Sequence, residues 1–468
     1  MKNKSLWKAA GIMIALTILL SWVIPSSQVG TDGITMGSIM PTGFADVFTS
    51  LEVITQYFIK PSIFILFVGM FYGVANRTGA FKKVVDKIAS LTKKRKFIFL
   101  VLTILFYAIT TALTGMYIHL FMFIPLSIAV LTKLKYNKVQ AVLATVGAST
   151  IGLIGEVSNS IIKQVGSLEG NTYIWVKVAL LVVLVLLTIL YAIKINAKRE
   201  KVEKTETTEE EEKEEETIMF VPEKRNATIE ANVKGIAFTI VLSLLFVIFV
   251  LGLTPWSNNE IFQKAYLGLQ EVKIGEFAIF DSILGNFEVF GTWTYNSLYP
   301  TIAMAIIVLT LVDSLKFKEM VEACVEGAKK VMNLAFLAGI ITLVVIFTLN
   351  SGFLGTIINY LTKGGNIALT TLSSLIASPL LVEMGYMAQY NLSMTLYATA
   401  SSSVAEIWGL ITQVTYGFAM LIAPSSVLLM VTLGYVEESY TKWIKYIWKF
   451  IVAVLILCIA AILVASIL

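Results

Sequence analysis

Glu156 is a carboxylate in the middle of an apolar run. The segment Ile154-Gly155-Glu156-Val157-Ser158-Asn159-Ser160 interrupts a stretch long enough to cross a bilayer. A charge at that depth costs about 2.5–3.5 kcal/mol on insertion scales and therefore faces a cavity or a partner. Gly155 loosens the helix, and Ser158 and Asn159 bring polar groups to a place where backbone amides lose their usual partners. A carboxylate so placed can carry a proton, ligate a cation or face the ammonium group of a solute. Its plainer role would be a structural pair with Lys163, which shares a helical face with Glu156 and Asn159. A second break, Ala423-Pro424-Ser425-Ser426, lies in the other half of the chain. Broken helices meeting inside the membrane are how many secondary carriers build a solute site. Gly155, Glu156, Ser158, Asn159, Pro424, Ser425 and Ser426 are therefore the expected solute- and ion-binding residues.

Three further side chains are candidates for coupling. His119 follows Gly115 by one turn and can titrate near neutral pH; a buried neutral imidazole bonded to a helix carbonyl suits the setting as well. Glu383 precedes Gly385 at a corresponding turn, where it belongs either to a site or to water at the turn's mouth, and Gly385 joins the candidate site. Gln389 is the third, with Asn391 and Gln413 as weaker amide candidates. The coupling ion is expected to be H+ or Na+, with sodium held at the same breaks. One histidine, and two cysteines (Cys324 and Cys458) at no metal-binding spacing, give no reason to expect another metal or a cofactor.

Membrane helices must position these residues. The chain of 468 residues is 57% hydrophobic and only 14% charged, with a mean hydropathy of +0.81, which is the composition of a polytopic membrane protein. The net charge of +5 is small and sits in loops, so it speaks for topology and against a nucleic-acid partner. No nucleophile–base constellation points to an enzyme, and no GxxxxGK[ST] loop points to an ATP-driven pump.

Lysine and arginine clusters set the expected topology. Lys2, Lys4 and Lys8 place the N-terminus inside, ahead of an uncleaved first helix over 6–24. A second helix, 58–76, returns to a basic amphipathic segment from Lys82 to Lys96 on the inner surface. Two apolar arms, 97–114 and 116–132, turn at Thr114-Gly115 as a re-entrant hairpin or as two full helices. A broken helix over 138–165 and a helix over 173–194 complete the first repeat, 1–195. Residues 196–232 form an acidic cytoplasmic linker, with eight glutamates between Glu206 and Glu216. The second repeat, 233–468, reads as helices at 234–253, 299–315 and 333–349, a second hairpin over 366–402, a broken helix over 404–434 and a last helix ending outside. An offset of 270 residues superposes Gly69 on Gly339, Gly115 on Gly385, Gly147 on Gly417, Glu156 on Ser426 and His119 on Gln389. The expected fold is thus an all-α polytopic membrane protein: an inverted repeat with two re-entrant hairpins, two broken helices and about nine full spans.

Several segments resemble one family. Val321-Glu322-Ala323-Cys324-Val325-Glu326-Gly327-Ala328-Lys329-Lys330 is similar to the surface helix of YfcC-type carriers. So are Pro424-Ser425-Ser426-Val427-Leu428-Leu429-Met430, Tyr440-Thr441-Lys442-Trp443-Ile444-Lys445, Phe67-Val68-Gly69 with Thr78-Gly79-Ala80, and Thr114-Gly115-Met116. These carriers are related to the C4-dicarboxylate anaerobic carriers of the ion-transporter superfamily. The resemblance implies an elevator-like carrier with two hairpins, a scaffold packed against a partner protomer in a homodimer, and basic amino acids, dicarboxylates or peptides as solutes. The chain departs from the pattern at Ile118 and His119, where the family usually has acidic residues, and at Met420, where it has asparagine. It departs also at Val382-Glu383-Met384-Gly385-Tyr386, where a tip rich in serine and glycine is usual, and at Glu156, where relatives carry a hydroxyl.

With no arginine or central lysine at either proposed tip, an amino-acid-like or cationic solute is favoured. The function expected is therefore secondary active transport of a small polar solute across a bacterial inner membrane, coupled to protons or sodium or run by exchange. A C4-dicarboxylate carrier and a pure cation/proton antiporter are the alternatives.

Overall fold

The computed structural model describes residues 4–30, 33–53, 55, 59–157, 173–203, 219–220, 235–254, 264, 267–268, 271–275, 277–279, 282, 288–362, 366–382 and 402–468. Among them, nine helices are long and apolar enough to cross a membrane, and strands are confined to two short antiparallel hairpins. The protein is an all-helical, multi-pass membrane protein.

Helix α1 (Lys4–Val23) leads into a hairpin of β1 (Ser27–Gly30) and β2 (Gly33–Met36), followed by α2 (Phe44–Val53) and α3 (Ile59–Thr78). The hairpin falls in the lysine-free loop, where the sequence carries no alternating apolar pattern. Gly79, at φ 78°, turns the chain into α4 (Ala80–Thr92). This helix buries Ala80, Phe81, Val84, Val85 and Ala89 and leaves its lysines on the other face. Through a 3-10 turn at Lys93–Arg95 it runs into α5 (Lys96–Thr114). Gly115 ends α5 at φ 69°, its N–H donating to Thr111 O, a left-handed cap that glycine adopts without strain.

The chain then returns through a 3-10 turn at Ile118–Met122 and α6 (Ile124–Lys133). The two arms are unequal, with 19 residues in α5 (about 28 Å) against 10 in α6 (about 15 Å). A 3.0 Å hydrogen bond between Tyr107 Oη and Ser127 Oγ ties them together.

Helices α7 (Lys138–Val142) and α8 (Ala148–Ile154) are joined by a π-helical turn, Leu143–Gly147. Every residue from Lys138 to Glu156 is buried. The hydroxyls on this stretch satisfy themselves on their own helix: Thr145 donates to Ala141 O at 2.9 Å, Ser149 to Thr145 O at 3.0 Å and Thr150 to Gly147 O at 2.8 Å. Helix α9 (Ile174–Glu203) follows. Of the acidic linker, residues 204–218 and 221–232 lie outside the described residues. Between them Phe220 is buried, its ring 6.1 Å from that of Tyr435, and anchors the linker there.

The second half contains α10 (Gly235–Leu253), a hairpin of β3 (Lys273–Ile274) and β4 (Phe277–Ala278), α11 (Tyr295–Val312), α12 (Phe317–Ile341), α13 (Leu343–Ser351), α14 (Phe353–Thr362) and α15 (Ile367–Leu381). Then come α16 (Ser402–Ile422), α17 (Val427–Tyr435) and α18 (Tyr440–Ala465). The 270-residue offset that relates the glycines also carries α5 onto α15, α7 and α8 onto α16, and α9 onto α18.

Two compact units each draw on both halves of the chain: Met1–Ser62 with Leu91–Val221 and Asn333–Leu468, and Ile63–Ser90 with Pro222–Met332. In the smaller unit, Gly69 and Gly73 of α3 meet Gly327 of α12 backbone to backbone. A Cβ on Gly327 would stand 2.1 Å from Gly69 O, and one on Gly73 would stand 2.3 Å from Ala323 O. This is the small-residue packing that brings membrane helices close. Arg77 pairs with Glu322 at 3.1 Å beside it, and Phe71 and Tyr72 pack on Phe238 of α10. In the larger unit, Ser27 donates its N–H and hydroxyl to Gly352 O at 3.1 and 2.9 Å, fastening the first hairpin to the α13–α14 turn. Met13, Val344, Phe353, Leu354, Ala377 and Leu380 form one apolar cluster beneath it.

Candidate functional site

Helix α8 stops at Gly155. The N–H of Gly155 still reaches Ile151 O at 3.2 Å, but that of Val157 turns aside to Ala112 O of α5 at 2.9 Å. The last carbonyls of α8 therefore need partners from elsewhere. Gln413 of α16 supplies one: its Nε2 donates to Glu156 O at 2.9 Å and to Ile154 O at 3.2 Å, with Leu153 O at 3.4 Å. Gln413 is 3% exposed, so the bonds are made away from water.

Three glycines allow helices to converge on this end. A Cβ on Gly152 would lie 2.4 Å from Ala108 O of α5, and one on Gly417 would lie 2.7 Å from Ile154 N. A Cβ on Gly155 would lie 2.5 Å from Leu181 Cβ of α9. Beside Gly152, the buried hydroxyl of Thr111 has no hydrogen-bond partner among the described residues.

Glu156 is 3% exposed. Lys177, one turn before Leu181 and on the same face of α9, is 4% exposed. The buried amide of Gln413 and the buried residue Glu156 thus belong to the end of α8, and buried Lys177 lies on the face of α9 that packs there. The sequence reading had no place for Lys177. A lone lysine near the start of an apolar helix looks like one whose stem snorkels to the surface, and only the glycine contact at Gly155 reveals which way its face is turned. Gln413 was a weak candidate because an amide in the middle of a helix carries no local mark of what it caps.

The second break is closed in a different way. Ser425 Oγ donates to Pro379 O of α15, and Ser426 caps α17 through Leu429 N at 3.4 Å. Tyr440 Oη donates to Ile422 O at 2.5 Å and Trp443 Nε1 to Leu421 O at 3.2 Å, so α18 takes up the end of α16. The first break meets α16 at Gln413 and Gly417, whereas Pro424 lies past the end of α16, about 10 Å beyond Gly417 along the helix direction. Glu156 is therefore brought to Gln413 and beside the face of α9 that carries Lys177, and Ser425 and Ser426 to α15 and the start of α17. Between α15 and α16, Thr415 Oγ1 lies 2.6 Å from Ser374 Oγ and 3.1 Å from Ser378 Oγ.

His119 sits half-buried in the 3-10 turn after Gly115. That turn packs against α17, with the rings of Phe121 and Tyr435 6.2 Å apart. Ser158, Asn159, Lys163, Glu383, Gly385, Gln389 and Asn391 lie outside the described residues. Among the described residues, no group of three or more histidines, cysteines, aspartates or glutamates could hold a metal ion.

No curated protein matches the chain. A solved structure, that of the YdaH transporter of Alcanivorax borkumensis, with an unusual topology, is similar at 14% identity and a TM-score of 0.40, covering 100% of this chain and 98% of that one. The family model of the C4-dicarboxylate anaerobic carriers matches residues 50–467. With a match over nearly its whole length, two broken helices and a charged group buried at one of them, the chain belongs to the C4-dicarboxylate anaerobic carrier family.

Proposed function

We propose that the protein is a secondary active transporter for a small organic ion, an amino acid or a related solute, driven by a proton or sodium gradient or by exchange. The observation that carries this reading is Glu156: a carboxylate 3% exposed, at the end of a helix whose last carbonyls are gathered by a side chain from the other half of the chain. A charge is kept inside a membrane protein where it serves a solute or ion path, and interrupted helices are where such paths find ligands. Glu156 binds the solute or coupling proton. Gly155, Ser158, Asn159, Gly385, Pro424, Ser425 and Ser426 shape the site, and His119, Glu383 and Gln389 assist coupling. The solute moves in an elevator-like step, with no chemical conversion. The distribution of lysines supports a cytoplasmic N-terminus and acidic linker and a C-terminus outside, and the family resemblance supports a bacterial inner-membrane location and a homodimer.

The family's description supports a second reading, a C4-dicarboxylate carrier, and buried Lys177 offers one counter-charge for a carboxylate. Proteoliposome uptake of labelled arginine, ornithine, succinate and sodium, with and without a pH gradient, tests both. Accumulation of an organic solute is expected, and Glu156→Gln should remove its dependence on the gradient. Uptake of sodium alone would sink the organic-ion reading, and a Glu156→Gln protein with unchanged rate and pH dependence would remove Glu156 from the site.

A further inference from the structure

The ten residues of α2 divide among three sides of the helix. Val47 and Ser50 share one side, and both turn inward: Ser50 is 3% exposed, and Val47 packs on the cluster of Leu343, Ile346 and Phe347. Phe44, Phe48 and Leu51 fall within about 60° of one another on the next side, and are 82%, 57% and 40% exposed. The rings of Phe44 and Phe48 lie 5.1 Å apart, edge to face. Ala45, Asp46, Thr49 and Glu52 fill the third side and are all exposed. A helix on the surface of a water-soluble domain has two sides, one for the core and one for water. The apolar side of α2 suits neither.

The helix is also held at a definite depth. Helix α1 runs 20 residues from Lys4 to Val23, about 30 Å, which is one hydrocarbon thickness. Near its far end the N–H of Thr42 donates to Ser21 Oγ at 3.0 Å, and Trp22 Nε1 donates to Thr42 O at 2.8 Å. The start of α2 is therefore level with the last turn of α1. Ile18, about 7 Å short of the end of α1, packs on the same three-residue cluster as Val47. That is the boundary between headgroups and acyl chains, where interfacial helices lie. Trp22 is half-exposed at the same level, as indoles are at membrane boundaries.

We infer that α2 is an interfacial helix whose Phe44, Phe48 and Leu51 dock into lipid at the end of α1 opposite Lys4 and Lys8. Apolar area holds it there, and charge does not. Residues 9–59 contain no lysine or arginine but carry Asp32, Asp46 and Glu52, so anionic headgroups find no cation to bind. The docked helix gives the first hairpin, and the α13–α14 turn that the hairpin grips, a fixed level in the bilayer.

The test is photocrosslinking of the full chain in phosphatidylcholine vesicles. The photoreactive residue p-benzoylphenylalanine replaces Phe44, Phe48 or Leu51 on the apolar side, and Ala45 or Thr49 on the polar side. All five positions are exposed, so the core is left intact. The first three should give phospholipid adducts, read by mass spectrometry, at about fivefold or more the yield of the other two. Adding about one-third phosphatidylglycerol should leave those yields unchanged. A covalent dimer from position 44 or 48 in place of lipid adducts would overturn the inference in favour of a second copy of the chain. Equal yields from both sides, or yields that climb with the anionic fraction, would overturn it as well.

Discussion

The side-chain amide of Gln413 lies 2.9 Å from the carbonyl of Glu156. Through that bond a helix of the second half completes the end of a helix from the first, at the residue that carries the buried charge. Replacing Gln413 with leucine keeps the volume but leaves the carbonyls of Ile154 and Glu156 short of a donor. A buried group left unsatisfied costs about 1–3 kcal/mol, so Gln413→Leu should lower the thermal unfolding midpoint in detergent. An unchanged midpoint would mean that the carbonyls find water.

Glycine packing around α8 makes a graded prediction. A Cβ at Gly152 would meet Ala108 O at 2.4 Å and Thr111 Cβ at 2.7 Å, whereas one at Gly409 meets nothing within 4 Å. Gly152→Ala should destabilise by about 1–3 kcal/mol as α5 is pushed away. Gly409→Ala should be neutral or stabilising by about 0.5–1 kcal/mol, because alanine favours a helix interior. Equal effects in a thermal-shift comparison would show that α5 can yield.

Ser426 caps α17 with its hydroxyl. Ser426→Ala should cost about 1 kcal/mol, and Ser426→Asn should restore most of it. Unfolding midpoints of the pair, compared with the wild type, check this; if asparagine failed to rescue, the cap would not be the hydroxyl's contribution.

Asp313 lies just past the membrane-spanning part of α11, half-buried, and burial pushes its carboxyl above the ordinary carboxylate range, with Thr78 and Lys83 opposing. A carboxyl raised in the folded state binds its proton more tightly there than in the unfolded chain, so stability falls as pH rises through the window above the unfolded value. Asp313→Asn should flatten that part of the stability–pH curve measured by thermal unfolding. A steeper acidic limb would reverse the assignment.

Much of the fold could be read from apolar runs and their interruptions. Helix α8 ends at Gly155 and α16 ends before Pro424, where a missing Cβ and a missing N–H weaken a helix wherever they occur. The level at which one broken helix meets the other was not readable. It depends on Gly417 and Gly152, whose role is to let backbones approach, and the partner of a close approach leaves no trace in local sequence. Lys177 was hidden for the same reason. The hairpin Ser27–Met36 was missed because its hydrogen bonds to the Gly352 turn, not an apolar face, hold it.

The meeting of Gly69 and Gly73 with Gly327 has a mechanical consequence. Side chains at a helix crossing can change rotamer and let one helix slip past the other; here the backbones of Gly69, Gly73 and Gly327 meet directly, with the stiff, β-branched Val331 against Gly69. Sliding α12 by one residue would bring Glu326 or Ala328 against α3 where only a hydrogen fits. The crossing behaves as a keyed joint: it holds one register under lateral pressure or a change in bilayer thickness, and it gives way by separating and not by creeping.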